Sequence, residues 1–83
     1  MKLPVIKQIQ RTSSVEEIET AIKVLEAASE AASLKEEEIN VIGELISNMC
    51  GALEVHEMIA AGMTEREAGN EFMKKVLGSI DRA

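Results

Sequence analysis

With 83 residues, of which 15 are acidic and 9 basic for a formal net charge of −6, the chain is one domain near the size where a lone hydrophobic core is marginal. The acidic balance argues against a phosphate-backbone ligand, whose affinity comes mainly from Lys and Arg, and one Phe with no Trp or Tyr removes stacking platforms for bases or sugars. A single cysteine and a single histidine rule out an internal disulfide and a structural zinc site built by one chain, which leaves packing within or between chains.

The charge is unevenly spread. Residues 1–15 carry Lys2, Lys7 and Arg11 with no acid, residues 16–57 carry eleven acids against Lys23 and Lys35, and the remainder is balanced. A basic N-terminal segment docked on the acidic middle of its own or a sister chain, or a solvated asymmetry with no partner, both fit this pattern. The unpaired cysteine suits a reducing compartment, and no apolar run of signal-peptide length follows Met1, so a cytoplasmic location is expected.

Met1 to Gln10, MKLPVIKQIQ, reads as a short helix over about 4–10: Pro4 suits a first turn, and Val5, Ile6 and Ile9 share a face. Leu3, Val5 and Ile9 also fit the alternation of a strand, but no second strand candidate exists to pair with it. Ser13 with Glu16, and Ser14 with Glu17, both satisfy a capping box, opening a helix over about 15–32. Its stripe is Ile18, Ala21, Ile22, Leu25, Ala28 and Ala32. The alanine-rich end, AASEAAS, suits either close approach of another helix or a solvated end of high propensity.

Ser33 with Glu36 is a further capping box, predicting a connection of a couple of residues and a long helix over about 35–61, antiparallel to its predecessor. Gly62 is placed to end it. Thr64 with Glu67 then caps a last helix over about 65–80, with Phe72, Met73, Val76, Leu77 and Ile80 inward, Lys74, Lys75 and Arg82 toward its C-terminal end, and Gly69 at a close contact.

Stepping about 100° per residue along the long helix, the apolar side chains fill an arc of roughly 200°. Ile39, Ile42, Ile46, Met49, Leu53 and Ala60 take one side, and Val41, Leu45, Ala52, Val55 and Ile59 the other. Asn40, Glu44, Ser47 and Glu54 mark the wet face. An arc so wide needs neighbours on two sides, and a second copy of the chain is the expected one, through Val41, Leu45, Met49, Ala52, His56 and Ile59.

His56 falls inside that arc. It reads as a histidine bonded to a backbone carbonyl, to its symmetry mate or to a carboxylate, and the sharper reading is a metal ligand with Glu57 or a general base. Inward Glu-x-x-His pairs are absent, since Leu53 stands three before His56. Cys50, at the edge of the arc, reads as a small packing residue; as a redox thiol it lacks a thiolate-stabilising cation, with Glu54 nearby instead.

At ELISNMCGALEVH, with the opening MKLPVIK and the closing NEFMKKVLGSID, the sequence resembles a family of small uncharacterised bacterial proteins of about this length. The resemblance implies no activity. The relatives carry an aromatic at the position of Cys50, which speaks against a thiol function common to the family, while the resemblance also implies genes that lie near those of thioredoxin-like and peroxiredoxin proteins. A fainter likeness, covering Cys50 to Glu67, is to the alkylhydroperoxidase D-like helical family, but Leu53 replaces the second cysteine and His56 stands one residue early. Without a second thiol its disulfide chemistry fails.

The expectation is therefore an all-α bundle of three to four helices with one long central helix, completed by dimerisation. Its expected function is that of a non-enzymatic adaptor or regulatory interaction protein without cofactor. Self and another protein are the expected partners, with neither nucleic acid nor membrane. The alternative is a redox-linked accessory protein using Cys50 and His56.

Overall fold

In the computed structural model the backbone is described for residues 2–82 and side chains for residues 2–77. The expected positions of Ile80 and Arg82 fall outside the described side chains. Among the described residues there are four α-helices and no strand: α1 (Leu3–Thr12), α2 (Val15–Ala28), α3 (Glu36–Ala60) and α4 (Glu65–Arg82).

Local chemistry sets most of the boundaries. Pro4 stands in the first turn of α1, where its missing N–H costs nothing. The box that opens α2 is the second of the two candidates: the Ser14 amide donates to Glu17 Oε1 at 2.8 Å, and the Glu17 amide donates to Ser14 Oγ at 3.2 Å. Thr64 and Glu67 repeat it at the start of α4, at 2.9 and 3.1 Å. The end of α3 is a Schellman motif around Gly62, whose φ of +112° favours glycine; the Met63 amide reaches the Met58 carbonyl at 3.1 Å and the Gly62 amide that of Ile59 at 3.0 Å.

The connection between α2 and α3 departs from the expectation. Helix α2 stops at Ala28, four residues before the expected Ala32, and residues 29–35 form a connection with turns at 29–30 and 32–33. The Ser29 hydroxyl donates to the Glu26 carbonyl at 2.7 Å, a local bond that competes with helix continuation. Capping at the start of α3 passes from Ser33 and Glu36 to Lys35 and Glu38, the Lys35 amide donating to Glu38 Oε1 at 2.9 Å. Three glutamates in the first turn of α3 suit the positive end of its dipole.

Helix α3 contacts all three others, and α1 also contacts α4. The cross-links fix directions. The Lys2 amide bonds Asn48, Ile6 meets Gly51, and the Ser13 carbonyl meets His56, so α1 runs parallel to the second half of α3. Arg11 pairs with Glu65 and Lys7 packs on Gly69, so α4 runs antiparallel to α1. The basic N-terminal segment thus makes its ion pair with α4, outside the acidic middle of the chain. The core, made of Ile6, Ile18, Ala52, Val55, Ala68 and Phe72, sits where α1, α2 and α4 converge on α3 from Asn48 onward. Each large aliphatic or aromatic side chain fully buried there contributes about 1.5–3 kcal/mol.

Candidate functional site: the uncovered half of the long helix

The apolar stripe of α3 continues past the core. Ala52 and Val55 are 0% exposed, enclosed by their own chain, whereas on the same side of the helix Leu45 is 38% and Val41 56% exposed. The reason lies in α1. It begins opposite Asn48, so only its first residues, Lys2 and Val5, border Val41 and Leu45, across a shallow groove. Among the sequence-predicted contact residues, Val41 and Leu45 remain open, Met49, His56 and Ile59 are half-buried, and Ala52 is inaccessible. The wide arc is filled by three helices of the same chain in its second half; in its first half Ile42 and Ile46 are half-buried, while Ile39, Val41 and Leu45 are exposed.

Two shallow grooves flank Val41. One, of about 390 Å³, is lined by Leu34, Glu37, Glu38, Val41 and Ile42. The other, of about 190 Å³, is lined by Lys2, Val5, Val41, Glu44, Leu45 and Asn48. Together they form an apolar strip bordered by Glu37 and Glu38 in one groove and by Glu44 and Lys2 in the other.

Asn48 has a role that the helical wheel did not assign. It is 3% exposed, and its Oδ1 accepts from the Lys2 amide at 3.0 Å, satisfying a donor that precedes the first helical turn. Asparagine is a poor helix former, so one inside a long helix beside the apolar stripe is the signal that points to a hydrogen-bonding task. Of the four expected wet-face residues, Asn40 and Glu44 are exposed, while Ser47 and Glu54 are half-buried; Glu54 lies 3.4 Å from Lys75 Nζ.

His56 Nε2 lies 2.9 Å from the Ser13 carbonyl oxygen. A carbonyl only accepts, so the ring nitrogen donates and Nε2 carries the proton. The bond ties the extended Ser13–Ser14 turn between α1 and α2 to α3. Glu57 is exposed, and among the described residues no three His, Cys, Asp or Glu side chains converge to hold a metal ion. Cys50 is exposed. Six residues separate it from His56, about 120° around the helix, so the two do not face one reacting atom.

Capping holds two carboxyls below the ordinary glutamate range. For Glu17 the cause is first the hydrogen bond from the Ser14 backbone amide and then its hydroxyl; for Glu67 the Thr64 amide and hydroxyl act alike.

Among the described residues no helix is long and apolar enough to cross a membrane. The fold and this surface define a small all-α protein whose most distinctive feature is an uncovered apolar helix face. The chain belongs to a family of unknown function, DUF6952, whose model matches residues 1–81. No curated protein and no solved structure matches the chain.

Proposed function

We propose that this chain is a non-enzymatic interaction protein of the cytoplasm that acts as a homo-oligomer, serving as an adaptor or regulatory subunit for another protein. The observation that supports the reading is the apolar strip on the first half of α3, with Val41 56% and Leu45 38% exposed at a position where the stripe is otherwise the core of the molecule. Exposed apolar area that continues a core stripe is characteristic of association surfaces. Leu45→Glu tests it. The substitution places a charge on the strip without touching the core cluster, so the variant folds with unchanged helicity and runs at half the parental mass in size exclusion with light scattering. A parent already monomeric at tens of micromolar contradicts the reading. Ile59→Glu is the poorer test, because Ile59 packs against the core and its replacement unfolds the chain.

The redox-linked reading draws on one observation, the exposed Cys50 thiol. Association with thioredoxin-like or peroxiredoxin proteins through Cys50 and His56 then requires a second thiol from the partner, since the chain holds one. A Cys50→Ser chain that still supports the biological activity removes this reading, while one that retains fold and assembly but loses activity favours it.

A further inference from the structure

A compact monomer of 9.0 kDa is expected to expose about 4,900 Å². This chain exposes 5881 Å², an excess of about 1,000 Å² and of the size that one partner gives to a standard interface, about 800 Å². The radius of gyration carries the same message: 13.9 Å against about 12 Å for a compact chain of this length. The molecule is also flat, with extents of 43 × 32 × 17 Å. Part of the exposed area is spread over Val15 and Val24 of α2, Met63 and Leu77, contrary to the inward place expected for Leu77. The first half of α3 is where exposed apolar side chains cluster on one helix, at Ile39, Val41 and Leu45.

The two ends of that strip carry opposite charge, with Glu44 between them. The first turn of α3 carries Glu36, Glu37 and Glu38, while α1 starts with Lys2, no acidic residue in its first turn and no side-chain cap. The N-terminus of α1 therefore offers a positive dipole end and a lysine to an approaching carboxylate.

We infer that the strip pairs with the same strip of a second copy of this chain, antiparallel, in an isologous dimer. The inference rests on the reading of the strip as an assembly surface and names what covers it. With the two-fold axis at the level of residue 43, midway between the two open apolar residues, Val41 of each copy packs against Leu45 of the other. The same operation brings Glu37 of each copy to the level of Met49 in the other, one residue beyond Asn48, which holds the amide of Lys2. Each dimer then has two Glu37–Lys2 pairs at its rim. They specify orientation, because a parallel pairing sets the Glu36–Glu38 turns of the two copies side by side.

Charge reversal on the full chain tests the arrangement, with the dimer dissociation constant read by sedimentation equilibrium at low salt. Lys2→Glu alone and Glu37→Lys alone each weaken the dimer about tenfold, since two symmetry-related pairs are lost at once, and the double reversal restores it to within about threefold. Glu37→Gln, which keeps helix propensity and adds no repulsion, weakens it by a smaller factor. A dimer that the single reversals leave unchanged, or that the double reversal fails to restore, overturns the antiparallel pairing while leaving the assembly surface standing. A parent that stays monomeric at every concentration overturns both.

Discussion

Gly51 and Gly43 lie two turns apart on α3 and have opposite relations to their surroundings. A Cβ at Gly51 would lie 2.9 Å from Ile6 Cδ1 and 3.0 Å from Phe72 Cζ, so α1 and α4 approach α3 as closely as they do because that position has no side chain. At Gly43 a Cβ meets nothing within 4 Å. Gly51→Ala therefore destabilises by about 1–3 kcal/mol, overpacking outweighing the gain in helix propensity, whereas Gly43→Ala stabilises by roughly 0.5–1 kcal/mol. Urea denaturation of both variants at one protein concentration separates the two signs. Glu17 and Glu67 supply a pH dependence. Their folded pKa values lie below the unfolded value of about 4.3, so their contribution is fully present above that pH and is lost as pH falls through the folded values. Thermal melts from pH 6 to pH 2.5 show this acid loss, and it is smaller in the Glu17→Gln, Glu67→Gln double variant, where capping contacts persist without a titrating group.

At the scale of elements, what the sequence made legible is what local chemistry decides. The Thr64–Glu67 box, the Gly62 terminus and the extent of α3 each depend on residues within one turn of each other, and they stand within a residue of where pattern places them. The end of α2 was not legible, because alanines at 27, 28, 31 and 32 favour helix by propensity while the Ser29 hydroxyl bond and the turns after it stop the helix at Ala28. The hydrogen bonds of Asn48 and Ser13 were illegible for a different reason. Their partners lie 46 and 43 residues away in sequence, and only the parallel course of α1 along α3 brings them together. The wheel showed a wide apolar arc but could not say which half of α3 its own chain would cover. That division carries a prediction about amide exchange: on passing from the parent to Leu45→Glu, residues 36–47 of α3 speed up by a larger factor than residues 48–60, which α1, α2 and α4 enclose. Equal exchange of residues 36–47 in both proteins is the contrary outcome.

For the whole molecule, one helix organises the fold, and the assembly proposed above rests on the more exposed half of the same helix. The second half of α3 gathers a small aliphatic core around Phe72 and draws α1, α2 and α4 onto it. The first half carries the same stripe onward, with Ile39, Val41 and Leu45 exposed, and contributes to the large exposed area of a flat molecule. A core of this size gives a small margin of stability, so the proposed burial of the remaining stripe against a second copy would stabilise the fold itself and make stability depend on protein concentration. Sedimentation equilibrium from about 1 to 100 µM tests this most directly. The predicted result is a mass rising to twice the 9.0 kDa chain with no further increase, and a mass near 9.0 kDa throughout for Leu45→Glu. A parent that remains at 9.0 kDa across the range, as compact and stable at the lowest concentration as at the highest, contradicts the account.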